Sequence, residues 1–410
     1  MSTVKPFRAI RPAADKVEHV VSHAVERYSA ATIQHILANN PFSFLQVIYA
    51  ARTQKVTYTE QLHSIKNRFD EFRTNQILKK DTEPCFYVYK QVKDGRSHIG
   101  LMALASVEEY KKGIIKIHEQ TLAEREEKLK EYLTVCDFNA EPVCLTHPFN
   151  EKLHDFLYSK TKGTSLYNFS YDTIHHTIWR LSDKNDIETI SELFKSIPEL
   201  YIADGHHRAA SSTLLAESKK KRNPAHTGLE AYNYFMAAIF AENELTIFNF
   251  NRMVNSLNGH TTESFFSAIE KHFKVIPYRH NICTPSSPKE ISVYIEKQWY
   301  LLQLKDGVNV NADAVDSLDV SILSNFILGP VLNITDLRND KRIAFIPGVK
   351  SIEDTCSIVD SGKMKAAFCL YPISFSELKA VADTGREMPP KSTWIEPKLE
   401  SGLLIYSLQD

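Results

Sequence analysis

The sequence predicts an α/β (α+β) protein built around a mixed sheet, and three observations predict it. Strand-like and helix-like runs interleave from one end of the chain to the other. Hydrophobic residues make up 43% and charged residues 24% of the 410 positions, ordinary proportions for a folded chain. There is no internal repeat and no low-complexity segment. A chain of this length can bury a sizeable core divided among lobes. The boundaries expected are 1–112 for an N-terminal lobe, 113–245 for a central lobe and 246–410 for a C-terminal lobe.

In chain order, helical patterning covers Ala13 to Ala38 and Gln61 to Lys80, and CFYVYKQV (Cys85 to Val92) reads as a strand. Leu101 to Lys116 is mixed. A helix is expected from Thr121, where Thr121 and Glu124 have capping-box spacing and Leu122, Leu129 and Leu133 fall on one face. Strands follow at Glu141 to Leu145 and His176 to Leu181, then a helix at Asp186 to Ser196. ELYIAD (Glu199 to Asp204) reads as a short buried strand. It runs directly into a helix that ends before Pro224, with Lys219 to Arg222 in its last turn to complement the dipole. Tyr232 to Phe250 reads as helix or strand, Glu263 to Phe273 as helix and Gln298 to Leu304 as strand. Helices near Val320 and over Ile373 to Ala382 precede a strand-like GLLIYSL tail.

Composition excludes several functions. The chain has 13 glycines, about 3% against a usual share of about 7%. No two are separated by a single residue, so G-x-G-x-x-G loops of dinucleotide enzymes and kinases are absent. Gly95 and Gly100 have P-loop spacing, but Leu101 and Met102 stand where Lys and Ser/Thr are required. With 49 basic and 50 acidic residues the net charge is −1, so no nucleic-acid partner is expected. No apolar run is long enough to span a bilayer, and the start lacks a signal-peptide core, so no membrane association is expected. The six cysteines form no C-x-x-C pair and read as reduced, mostly buried thiols of a cytoplasmic protein.

The strongest chemical signal is Asp204-Gly205-His206-His207-Arg208. A strand ends in a carboxylate, glycine turns the chain, and a helix begins with two imidazoles and a guanidinium. A helix N-terminus favours anions, and these side chains add directed donors to phosphate oxygens. Asp204 can contact a metal, orient a histidine or assist a nucleophile. The paired histidines His175-His176 and His206-His207 raise zinc as an alternative. Adjacent helical residues point about 100° apart, however, and H-E-x-x-H is absent, so Mg²⁺ held by substrate phosphates and one carboxylate fits better. His118-Glu119-Gln120-Thr121 also precedes a helix, and Glu119 is a candidate general base. Met388-Pro389-Pro390-Lys391-Ser392-Thr393 is a proline-stiffened loop offering Lys391, Ser392 and Thr393 to phosphate, and it continues to Pro397-Lys398 and Ser401-Gly402. Thr335 to Arg342 is a polar turn containing Arg338. PFRAIRP, with Arg11, and Asn40-Pro41-Phe42-Ser43-Phe44 are motif-like, but physics alone gives them no role.

The order PFRAIRP, NPFSF, HEQT, ADGHHRAAS, LGP…DKR and MPPKSTWIEPKLESGL resembles, over nearly the whole chain, a bacterial and protist family long known only as a domain of unknown function. DGHHR and MPPKST are its specific parts. DGHHR also resembles the strand–turn–helix of the ParB/sulfiredoxin superfamily, which includes the free serine kinases. One archaeal type uses ADP, and a pyrophosphate-dependent type belongs to the family that this chain resembles. The resemblance implies a ParB/sulfiredoxin-like catalytic core with additional helical and sheet lobes. It implies Glu119, beside His118, as catalytic base, and Asp204, His206, His207 and Arg208 lining the phosphate site. The stretch between Glu119 and Asp204 is longer than in the compact archaeal pattern.

The expected activity is phosphorylation of free L-serine to O-phospho-L-serine, feeding serine and cysteine metabolism, with pyrophosphate as donor and ADP or ATP as alternatives. Catalysis would consist of positioning and charge neutralisation with Mg²⁺ as cofactor. Lys391, Ser392 and Thr393 would take the donor phosphate by their chemistry. Arg11 or Arg338 would grip the serine carboxylate, from charge type alone. A phosphatase or nucleotide hydrolase, and a non-enzymatic ParB-like nucleotide- or DNA-binding protein, are the rival readings.

Overall fold

A computed structural model describes residues 2–50, 52, 56–279 and 282–409. The chain forms two compact units. Unit 1 comprises Met1–Ile117, Thr121–Leu245 and Pro397–Asp410, and unit 2 comprises His118–Gln120 and Thr246–Glu396. The expected mixture of helices and mixed sheet is what the structure shows.

Unit 1 contains strands β1 (Val4–Lys5), β2 (Ile10–Pro12), β3 (Leu78–Lys80), β4 (Phe86–Lys93), β5 (Arg96–Ser106) and β6 (Ile115–Lys116). It continues with β7 (Phe138–Asn139), β8 (Val143–His147), β9 (Tyr167–Tyr171), β10 (Ile174–Leu181), β11 (Leu200–Asp204) and β12 (Tyr234–Ala241). Nine of them make one sheet in the order β6-β11-β8-β12-β5-β4-β10-β9, with β1 paired to β5. The β6/β11 and β8/β12 pairs are parallel and the remaining pairs antiparallel. Val88, Leu101, Val143, Leu145, Ile202 and Ile239 form the centre of its core, with Ile190 and Phe194 of helix Lys184–Lys195 packed among them. Burying such aliphatic and aromatic surface is the main force holding the layers together. A second core joins Phe44, Leu45, Phe69 and Phe72 to Cys136, Phe138 and Ile405.

This second core gives NPFSF and the end of the last motif their purpose. Gly402 has φ 78°, and a Cβ there would lie 2.5 Å from the ring of Phe44, so the motif glycine makes room for the motif phenylalanine. Phe7 of PFRAIRP likewise packs edge-on against Tyr87 and Tyr406.

Unit 2 contains β13 (Thr246–Val254), β14 (Phe273–Tyr278), β15 (Glu290–Ile295), β16 (Gln298–Leu304), β17 (Ile343–Pro347), β18 (Ala366–Leu370) and β19 (Thr393–Glu396). Their order is β14-β16-β15-β18-β13-β17, and β19 pairs with the first half of β13. Met253, Tyr294, Trp299, Val359 and Ala367 belong to its core.

Local differences from the expected elements have identifiable causes. The stretch expected to be helical from Ala13 breaks into Val17–Val20 and Ala30–Asn39, because Val21 and Ser22 turn extended and Ser22 bridges to Ser401. The helix Tyr58–Thr74 stops short of Lys80, because Gln76 takes a positive φ and Leu78–Lys80 pairs with Ile10–Pro12. The helix Ala123–Cys136 begins without the expected capping box, since the Thr121 hydroxyl bonds to Glu126 instead. Tyr232 to Phe250 resolves into strands β12 and β13. The tail is strand only at Tyr406–Ser407, which pairs with β7. All six cysteines are unpaired thiols, and five are buried.

Candidate functional site

Strand β11 lies between β6 and β8, so Leu200 to Ala203 are buried and Asp204 emerges at the strand's C-terminal end. The register shifts between Ile202 and Asp204, which re-aims the last residue. Gly205 then adopts φ 97°, outside the range comfortable for a side chain. Helix His206–Arg222 begins immediately, and no side chain caps its N-terminus. The helix packs chiefly against helix Ala123–Cys136, and its Ala209 and Ala216 join the core of the sheet. Its first turn therefore presents a dipole end next to a carboxylate and two histidines.

That carboxylate is clamped by cations. Lys398 Nζ donates to Asp204 Oδ2 at 2.8 Å, and Arg208 Nη2 lies 3.9 Å from Asp204 Oδ1. Partial desolvation opposes ionisation, but Lys398, Arg208 and His206 outweigh it and hold the Asp204 carboxyl at about 2. The side chain still has 42% of its surface accessible, so a ligand can reach it. Arg208 folds back over Gly205, and its Nη1 donates to the Pro142 carbonyl at 2.7 Å, with Glu141 Oε2 3.6 Å away. Ser401 Oγ donates to the other Glu141 oxygen at 2.7 Å. His206 is buried, whereas His207 is half-buried. Burial and the Arg125 charge hold the His207 imidazole below its usual range, and Glu126 opposes them only in part. His207 Nδ1 has no hydrogen-bond partner among the described residues.

A buried polar chain positions Lys398. Gln91 Nε2 donates to the Lys398 carbonyl at 3.0 Å and to Tyr89 Oη at 2.9 Å. Tyr89 Oη is 2.8 Å from His176 Nδ1, and the two rings are nearly parallel, at 3°. Burial, with smaller contributions from His23, His175 and Arg27, pushes His176 down to about 3, so the ring is neutral at physiological pH. With both Gln91 protons donated, the tyrosine hydroxyl is left to donate to the histidine.

The structure places the other sequence candidates as follows. Arg11 binds Asp81 through Nε and Nη2, the latter at 2.8 Å, and Tyr167 through Nη1 at 2.9 Å. Tyr87 donates to the same aspartate at 2.6 Å. Within unit 2, His118 is buried and Glu119 half-buried in a bend. The Met388 amide donates to the His118 carbonyl at 2.9 Å, so two motifs distant in sequence are neighbours. Lys391 has φ 57° and lies 5.6 Å from the Phe250 ring centroid. Ser392 is buried and donates to the Pro389 carbonyl at 2.6 Å, and Thr393 opens β19. Arg338 is exposed in a turn organised by Asp336. In the sequence Lys398 stands in the last motif with no role apparent, and nothing local marks Glu141 or Gln91. The signal for Lys398 was its place in EPKLESGL, a second basic residue after the proline loop.

Among the described residues, no group of three or more His, Cys, Asp or Glu is arranged to hold a metal ion. Asp204 fits as a single carboxylate ligand to an ion otherwise held by phosphate oxygens and water, the usual arrangement for magnesium at phosphoryl groups. No helix among the described residues is long and apolar enough to cross a membrane.

No curated protein matches the sequence. Among solved structures, a free serine kinase in complex with AMP aligns with 12% identity and a TM-score of 0.36, covering 74% of this chain and 91% of that one. A conserved hypothetical protein from Pyrococcus furiosus aligns with 14% identity and a TM-score of 0.34, covering 74% and 95%. SbnI with a C-terminal truncation, from Staphylococcus aureus, gives 11% and 0.36, covering 72% and 82%. A family model described as "Protein of unknown function (DUF1015)" matches residues 4–321. The chain belongs to the DUF1015 family.

Proposed function

We propose that this protein is a phosphotransferase that moves a phosphoryl group from pyrophosphate to the hydroxyl of free L-serine, giving O-phospho-L-serine and orthophosphate. The observation that supports it best is the accessible Asp204 carboxylate at an uncapped helix N-terminus, held ionised by Lys398 and Arg208. A strand, a positive-φ glycine and a helix start carrying two histidines and an arginine form an oxyanion-binding element shared in outline with ParB/sulfiredoxin proteins. It needs no glycine-rich nucleotide loop, which suits a compact inorganic donor.

In this reading Glu119 accepts the proton of the serine hydroxyl as the oxygen bonds to phosphorus and the bridging P–O bond of pyrophosphate breaks. His206, His207 and Arg208 are the phosphate-binding candidates of unit 1, and Lys391, Ser392 and Thr393 are those of unit 2. His118 and Arg338 are the serine-binding candidates of this reading, because the Arg11 donors are taken by Asp81 and Tyr167. A carboxyl at about 2 is no proton acceptor near neutrality, so Asp204 works through its negative charge. Mg²⁺, when bound with the donor, neutralises phosphate charge, and Asp204 is the residue that would contact it.

The purified protein with Mg²⁺ and L-serine, offered pyrophosphate, ADP or ATP in turn, is expected to form phosphoserine fastest with pyrophosphate. Formation with none of the three sinks the kinase reading, and donor hydrolysis indifferent to serine replaces it with a phosphatase or nucleotide hydrolase. Glu119→Gln is expected to lower kcat by at least about 100-fold at saturating serine, the scale of a lost general base. An unchanged kcat removes Glu119 from that role.

A further inference from the structure

Unit 2 contains a positive charge that nothing described so far uses. Arg252, on β13, is wholly excluded from solvent. Its Nη1 donates to the Phe250 carbonyl, and its Nη2 donates to the Pro390 carbonyl at 3.3 Å. The guanidinium stands over the Phe345 ring, 5.2 Å from the centroid. Its Nε has no hydrogen-bond partner among the described residues. No carboxylate among the described residues forms an ion pair with it, and burial alone pushes the group down to about 9. A fully buried guanidinium is ordinarily paired with a carboxylate or phosphate, because leaving the charge uncompensated is costly. Two carbonyl dipoles and a ring face answer it only in part.

What covers Arg252 is informative. Pro390 belongs to the Met388–Thr393 loop, and the same loop places Lys391 Nζ over Phe250, two residues from Arg252 on the same strand face. Lys391 holds a positive φ, unusual for a residue with a long side chain. Two prolines remove two amide donors, so the loop turns a carbonyl toward Arg252. A carbonyl is the weak stand-in for an oxyanion, which would accept from Nη2 and from the unused Nε together as a bidentate partner.

We propose that Arg252 and the Met388–Thr393 loop form an oxyanion site for inorganic pyrophosphate or orthophosphate, in which the anion takes the place of the Pro390 carbonyl on the guanidinium. The inference deepens the proposed function and rests on its assignment of Lys391 and Ser392 to phosphate. It makes Arg252 a further binding residue of that loop, and it requires no catalysis.

The test uses the full chain labelled with 5-fluorotryptophan. The three tryptophans give three ¹⁹F resonances, and Trp394, directly after the loop, is assigned by Trp394→Phe. Titration with pyrophosphate, without serine, should shift the Trp394 resonance saturably, whereas sodium chloride of equal ionic strength should not. Arg252→Met should weaken the apparent affinity at least tenfold, and Arg252→Lys, which keeps the charge but loses the fork, should fall between. No shift in the wild type overturns the site, as does an unchanged affinity in Arg252→Met. If Arg252→Met does not fold, wild-type affinity in Arg252→Lys overturns it, and weakened binding supports it. Phosphoserine formation is measured separately. Anion binding that depends on Arg252 without phosphoserine keeps the site and removes the kinase reading. Phosphoserine formation with Arg252-independent binding does the reverse.

Discussion

Gly205→Ala perturbs the turn on which the candidate site depends. Gly205 sits at φ 97°, beyond the small left-handed region that other residues tolerate. Placing an L-residue in a left-handed conformation costs about 1–2 kcal/mol. The new Cβ would also lie 2.9 Å from Arg208 Nε, closer than packed atoms approach. Arg208 must swing away and weaken its 2.7 Å bond to the Pro142 carbonyl. A hydrogen bond from a charged group contributes about 1.5–3 kcal/mol, and partial exposure of this one favours the lower end. The two effects total about 2–4 kcal/mol. For a unit of this size, about 2–4 °C per kcal/mol gives a fall of about 4–16 °C in the unit 1 melting transition. Differential scanning calorimetry separates that transition from any belonging to unit 2. A Gly205→Ala protein that melts within 1 °C of wild type refutes the claim that the strand-to-helix turn demands glycine.

Other predictions concern the charges around that turn. His176 is held at about 3 when folded, against about 6.5 when unfolded, so the unfolded chain binds the extra proton in between. Its contribution is complete above pH about 6.5 and is lost as pH falls toward 3, with a limiting slope of about 1.4 kcal/mol per pH unit. His176→Phe keeps the stacked ring and should flatten the fall in urea midpoint between pH 7 and 5, and an unchanged slope counts against a buried neutral histidine. Lys398→Met removes the first-named cation on Asp204. The carboxyl should rise from about 2 to or above its ordinary 3.8, read by ¹³C NMR of labelled aspartate with Asp204→Asn for assignment. A resonance still titrating near 2 would assign the depression to Arg208 and the helix instead.

The residues that were legible in the sequence are those whose role is local. ELYIAD-GHHR announces strand, turn and helix within ten residues, and β11, Gly205 and helix His206–Arg222 follow it closely. Capping is less legible. Thr121 and Glu124 had the spacing, but Thr121 bonds to Glu126, while boxes form at Thr57/Glu60 and Ser374/Glu377 that were equally visible. Spacing states what a hydroxyl can reach, and packing decides the partner it takes. Long-range relations were illegible for the same reason. Nothing local to EPKLESGL says that Lys398 will meet Asp204, 194 positions earlier, or that Gln91 will hold the Lys398 carbonyl. Arg11 illustrates the converse. Its charge suggested a substrate carboxylate, and the fold supplies Asp81 and Tyr167 as partners for its donors. Arg252 lies in a strand of mixed character with no motif around it, and only its burial draws attention to it.

The most direct test of the central claim is a ³¹P NMR time course of the protein with Mg²⁺, pyrophosphate and L-serine. Phosphoryl transfer to serine gives one phosphoserine and one orthophosphate for each pyrophosphate consumed, with consumption ceasing when serine is omitted. Two orthophosphates per pyrophosphate with no phosphoserine resonance, or no consumption at all, would contradict it.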